Sequence, residues 1–232
     1  MSHTLMLFDI DMTLLSTGGA GMHAMQAVAD RCFDGAISFD KVSFAGKLDT
    51  IIFTEAAKLC GLEDIPVREL VFQREYVREL EAELARIGPR AFALPGVLPL
   101  LESLLKRANN GDGLTLGLLT GNYTAAAPIK LRAVGIDPGW FSITAFGDEA
   151  PTRPDLVALA MRKYRQRHGR RIDPARVIVI GDTPRDVECA KAHGCVAFAV
   201  ATGGYTADQL RDAGADHVVE DLREPSVLLS LI

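Results

Sequence analysis

The chain predicts an α/β protein, a doubly wound parallel sheet carrying an inserted α-helical cap, and three observations in its 232 residues predict it. Short runs of nearly unbroken apolar residues, such as Leu5 to Phe8 and Val177 to Ile180, have the composition of strands buried on both faces, as strands of parallel sheets are. These runs alternate with segments whose apolar residues recur every three or four positions, the βαβα order that closes through right-handed crossovers. Between residues 16 and 90 the alternation lapses and only helical patterns remain. That stretch reads as a cap over the carboxyl edge of the sheet, which divides the chain into a core of residues 1–15 and 91–232 and a cap of residues 16–90.

Leu5, Met6, Leu7 and Phe8 form the first strand, and Asp9 and Asp11 follow at its end, two apart and therefore on one side of an extended chain. The Gly-rich STGGAG of residues 16–21 cannot continue the strand. No GK[ST] follows it and no GxGxxG is present, so it reads as a hinge and not as a phosphate loop. MHAMQAVADRCF, residues 22–33, is a helix with a buried stripe. Residues 37–48 are irregular and hand over at Asp49, read as an N-cap, to a helix that Gly61 ends. Pro66 opens a longer charged helix running to about Ile87, and GPRAFALPG closes the insertion, in which no strand is expected.

From Gly96 onward the character changes. VLPLLESLLKRA is a helix, LTLGLLT a buried strand ending at Thr120, AAAPIKLRAVG a helix and SITAF a strand. PDLVALAMRKYRQRHG is the next helix, RVIVIGD a strand ending at Asp182, CAKAHG the close of another helix, and CVAFAVATGG and HVV the last strands.

Composition bounds the function. With 48% hydrophobic and 24% charged residues the chain has ample core to fold without staples. A net charge of −5 with no basic stripe argues against nucleic acid and anionic membranes as partners and leaves small molecules. No apolar stretch approaches a membrane span, and Met1 to Thr4 lack the basic start of a signal peptide, so the cytoplasm is the expected location. Cys32, Cys60, Cys189 and Cys195 form no CxxC pair and are expected to be reduced packing residues.

The chemistry gathers at three strand ends: Asp9 with Asp11, Thr120 with Gly121 and Asn122, and Asp182 with Asp186. Each alone reads equally as a turn or a helix N-cap. Together they supply what phosphoryl chemistry needs. Paired carboxylates repel unless a proton or divalent cation lies between them, a hydroxyl with free N–H groups at a helix start suits phosphate oxygens, and aspartates are the hard oxygen ligands that Mg2+ takes.

With these motifs in order, the chain resembles the haloacid dehalogenase-like hydrolase superfamily over its whole length. Asp9, Asp11 and Thr13 match a strand ending in DxDxT, Thr120 the second motif, and Asp182 with Asp186 a GDxxxD terminus. The helical insertion is similar to the cap of phosphoglycolate phosphatase-like members, and GKLD, residues 46–49, to the loop by which such caps read substrates. Two departures stand out. Met12 occupies a position usually held by a small residue, and the third motif, usually a lysine before proline, is Arg153 before Pro154. Lys130, on the helix after Thr120, is the rival cation, its other reading being surface charge.

The resemblance implies a Mg2+-dependent phosphatase acting on a small phosphorylated metabolite through an aspartyl-phosphate. Asp9 would be the nucleophile and Asp11 the proton shuttle, and Thr120, Gly121, Asn122 and Arg153 (or Lys130) would bind phosphate. The metal would be held by Asp9, the Asp11 carbonyl, Asp182 and Asp186. A carboxylate at Asp11 suits an alkoxide leaving group and disfavours a dehalogenase. A phosphomutase, and a receiver-like phospho-acceptor without a cap, are the alternatives. Lys47, Asp49, His23 and Arg74 are the candidate substrate contacts, Lys47 being the one expected to read a negative group such as the carboxylate of a phosphorylated hydroxy acid.

Overall fold

The structure, a computed structural model, describes residues 3–232. The chain enters through β1 (Thr4–Phe8), buried along its whole length. A two-residue strand β2 (Leu15–Ser16) opens the insertion, α1 (Ala20–Cys32), α2 (Asp49–Leu59) and α3 (Ile65–Ile87) make it up, and β3 (Phe92–Ala93) closes it. There follow α4 (Val97–Asn109), β4 (Leu114–Leu119), α5 (Ala127–Ala133), β5 (Ile143–Ala145), α6 (Arg153–His168), β6 (Val177–Gly181) and α7 (Pro184–Lys191). The chain ends with β7 (Val196–Val200), α8 (Ala207–Asp212), β8 (His217–Val219) and α9 (Ser226–Leu229).

Six strands form a parallel sheet in the order β5-β4-β1-β6-β7-β8. The first strand is thus interior, and successive connections run outward from it in both directions, so its carboxyl end is the switch point where open α/β sheets bind ligands. Register decides which residues meet there. Phe8 pairs with Leu118 on one side and Ile180 on the other, which brings Asp9, Thr120 and Asp182 to one edge within two residues of those partners.

Alternation along β1 divides the core between the two faces of the sheet. Met6 and Phe8 pack with Leu100, Leu104 and Leu131 of α4 and α5, and Leu5 and Leu7 with Leu156, Tyr164 and Val187 of α6 and α7. The inserted helices carry a third cluster. Phe53 and Phe72 lie 4.5 Å apart between ring centroids, Phe72 stacks on Tyr76 at 5.9 Å, and Tyr123 and Ala126 beside β4 complete the cluster, joining the insertion to the sheet. Aromatic pairs of this kind each add about 0.5–1.5 kcal/mol beyond the area they bury.

Four local expectations are corrected. Leu15 and Ser16 pair antiparallel with Ala93 and Phe92, so Ser16, placed in an insertion without strands, is part of a short ribbon joining the insertion's two ends. Two residues a side present no alternation to read. The short helices α8 and α9 escape notice for the same reason. Asp49 is the first helical residue and not the cap, which falls on Leu48; its carboxylate instead accepts the Tyr123 N–H at 3.0 Å. Cys60 is exposed at the end of α2, whereas Cys189 and Cys195 are buried as expected of packing residues.

Candidate active site

Asp9, Asp11, Thr120, Asn122, Asp182 and Asp186 are delivered by strand ends or the turns beyond them, and Arg153 and Lys130 by helices α6 and α5. Asp9 leaves β1 with its carboxylate accepting the Ile10 N–H at 2.7 Å, a bond within its own turn. Met12 then takes a left-handed φ of 58°, the conformation that explains why a small residue is favoured there, since a Cβ is strained in it. Thr120 is wholly buried, and its hydroxyl accepts from the Asn122 side chain at 2.8 Å. Gly121 is required by close approach: a Cβ there would lie 2.0 Å from the Lys47 carbonyl, where the cap loop presses on the turn after β4. Asp186 sits in the first turn of α7 in a capping box with Thr183, whose N–H and hydroxyl donate to it at 3.0 and 2.6 Å.

Asp9, Asp182 and Asp186 are buried and offer oxygens within 4.8 Å of one another, a cluster able to hold a divalent metal ion. Arg153, at the start of α6, lies among them. Its Nη2 donates to Asp9 and to Asp186 at 2.6 Å each, while Nε, also buried, has no partner among the described residues. Three carboxylates against one guanidinium leave two negative charges if all ionise. The electrostatics register that excess: burial, with Asp186 and Asp9 close by, pushes Asp182 up to about 8, and burial also raises Asp9 against the pull of Arg153. A divalent cation is the group that fits such a donor set. Thr13 steadies Asp182 through a hydrogen bond of 3.2 Å.

A second group lines the same cavity as Asp9 and Arg153. Lys130, read from sequence as Arg153's rival or as surface charge, is buried, so the surface reading fails. Its Nζ donates to Asp11 at 2.7 Å and to the Asn122 carbonyl oxygen, and Asn122 in turn donates to the same Asp11 oxygen at 2.8 Å. Burial works against its charge, but Asp11, Tyr76 and Asp49 outweigh that and hold its pKa above the usual lysine value. Arg153 thus contacts the carboxylate cluster, and Lys130 contacts Asp11.

A cavity of about 380 Å3 opens over these groups, roofed by Met22, Met25, Phe44 and Ile52 of the insertion. Lys47 and Asp49 line it, Lys47 with its ammonium paired to Glu55. His23 and Arg74 are not among the lining residues: His23 lies 3.3 Å from Glu83 on α3, and Arg74 is exposed and paired with its neighbour Glu75. Sequence reasoning passed over Thr183 and Tyr76. The first was legible as the start of a T-x-x-D capping box, but nothing sets Tyr76 apart from other apolar residues of a charged helix.

Known proteins resemble this chain in sequence and in fold. A model of haloacid dehalogenase-like hydrolases matches residues 6–191. The phosphoglycolate phosphatase of Vibrio vulnificus (strain CMCP6) is 25% identical over 229 residues, spanning 95% of this chain and 93% of that protein. The phosphoglycolate phosphatase of Escherichia coli (strain K12) is 30% identical over 161 residues, 68% of this chain and 58% of that one. In fold, the chain is similar to a hydrolase from Pseudomonas syringae, with a TM-score of 0.72 at 22% identity over 99% of both chains. No helix among the described residues is long and apolar enough to cross a membrane.

Proposed function

This chain belongs to the haloacid dehalogenase-like hydrolases, and we propose that it is a Mg2+-dependent phosphatase of small phosphomonoesters working through an aspartyl-phosphate on Asp9, under a cap formed by residues 16–90. The observation that carries this reading is the pairing of two acids with different surroundings. Asp9 sits in a buried carboxylate cluster beside Arg153, while Asp11, lining the same cavity, is held by Lys130 and Asn122.

In this reading an Asp9 oxygen attacks phosphorus as the bond to the ester oxygen breaks, and Asp11 delivers its proton to the departing alkoxide. Asp11, now a carboxylate, takes a proton from the water that attacks phosphorus in turn, which frees Asp9 and releases inorganic phosphate. Thr120, the N–H groups of Gly121 and Asn122, and Arg153 receive the phosphoryl oxygens, where charge gathers during transfer. Asp9, Asp182 and the Asp11 carbonyl would hold the metal, with Asp186 either a further ligand or the group that orients Arg153, whose Nη2 donates to it. When bound, Mg2+ supplies positive charge that offsets the repulsion between a carboxylate and a phosphate dianion.

Phosphoglycolate is the first ester to try, since two similar proteins are named for it. The test is phosphate release from a panel of phosphomonoesters. EDTA abolishes it and Mg2+ restores it if the reading is right; full activity in metal-free buffer contradicts it.

A further inference from the structure

We propose that the cap side of the cavity selects an uncharged leaving group, so that the preferred substrate is the phosphomonoester of a neutral alcohol whose carbon skeleton packs on Met22, Met25 and Phe44 and whose polar oxygen hydrogen-bonds to Tyr76 Oη. This rests on the phosphatase reading and narrows it.

Charge is the first argument. Each cation lining the cavity already has an anionic partner: Arg153 has Asp9 and Asp186, Lys130 has Asp11, and Lys47 has Glu55. A leaving group carrying its own carboxylate would enter a cavity with no free counter-charge to meet it, an arrangement that costs binding. Lys47, the residue the sequence put forward for reading such a group, is held by Glu55 instead.

Size and shape are the second argument. At about 380 Å3 the cavity falls within the roughly 300–1,000 Å3 of pockets that enclose whole small molecules. Its cap wall of methionines and Phe44 offers apolar surface that a two-carbon acid would leave uncovered, and methionine adapts to irregular carbon skeletons.

The third argument is an unused hydrogen-bonding group. Tyr76 is completely buried, lines the cavity, and its hydroxyl has no hydrogen-bond partner among the described residues. Buried polar groups of native proteins are nearly always paired, so a ligand oxygen is a natural partner. Gly21 borders this hydroxyl: a Cβ there would lie 3.4 Å from both Tyr76 Oη and Lys130 Nζ. The glycine stands in the first turn of α1, where alanine would favour the helix more.

The experiment measures kcat/KM with saturating Mg2+ for phosphoglycolate, for hydroxylated four- to six-carbon alkyl phosphates, for their deoxy analogues, and for p-nitrophenyl phosphate. The hydroxylated neutral esters should exceed phosphoglycolate by about tenfold or more, and Tyr76→Phe should reduce the preference for hydroxylated over deoxy esters by roughly two- to tenfold, the worth of one neutral hydrogen bond. Phosphoglycolate turned over as well as the neutral esters, or a preference that survives Tyr76→Phe, overturns the proposal while p-nitrophenyl phosphate turnover leaves the phosphatase reading standing. Turnover of none of the esters overturns both.

Discussion

Arg153→Ala tests most directly how the carboxylate cluster is held together. Arg153 is 6% exposed and contributes, among the described residues, the one cation paired with Asp9 and Asp186. Its removal leaves three buried carboxylates whose oxygens lie within 4.8 Å of one another. Breaking a buried pair by deleting one partner costs about 3–5 kcal/mol. For a chain of this length each kcal/mol moves Tm by about 2–4 °C, so the variant should melt about 6–20 °C below wild type in EDTA. Excess Mg2+ should return more of that loss to the variant than it adds to wild type, because a bound cation supplies the missing charge. Arg153→Lys is the informative companion. A single nitrogen, Nη2, makes both bonds and Nε makes none, so an ammonium reaching the same point should recover more than half of the lost stability. That geometry also accounts for an arginine standing where the family pattern has lysine. Thermal unfolding followed by circular dichroism, with and without Mg2+, is the assay. An alanine variant melting within a degree of wild type in EDTA would refute the argument.

The other predictions concern single groups. Asp9→Asn should eliminate turnover with the fold intact, whereas Asp11→Asn and Lys130→Ala should both slow alkyl phosphates more than p-nitrophenyl phosphate, because Lys130 acts through Asp11 and a good leaving group needs little acid; equal losses on both substrates, read from kcat, count against these roles. Burial pushes Asp49 from 3.8 up to about 7. The folded protein then keeps a proton that the unfolded chain releases, so this group's contribution to stability falls as pH rises from about 4 to about 7. Asp49→Asn should therefore gain stability relative to wild type across that interval, by an amount on the order of a few kcal/mol, and parallel urea midpoints at all pH values would exclude it. Met12→Gly should relieve the left-handed backbone and raise Tm by about 1–4 °C, corresponding to about 0.5–1 kcal/mol; an unchanged or lower Tm would mean that the Met12 side chain compensates for its backbone.

What the sequence determined by itself lies within single segments. An apolar run that stops on Asp9, another on Thr120 and a third on Asp182 is legible because burial on both faces and the residue that ends the strand are neighbours in the chain. The same locality made the helical character of the insertion readable from period alone. The tertiary structure decided which side chains face one another. Asp11 and Lys130 are 119 residues apart, and Asp49 and Tyr123 are 74 apart. A lysine in the middle of the short helix α5 looks like surface charge until the inserted helices pack over it and exclude water. Conversely, His23 and Lys47 look free to meet a substrate until Glu83 and Glu55 are brought beside them. Periodicity shows that a helix has a buried face, but what that face meets depends on the packing of segments distant in the chain. The strand ends could therefore be read from the sequence, whereas the cap wall of the cavity, Tyr76 included, exists only once the insertion is docked.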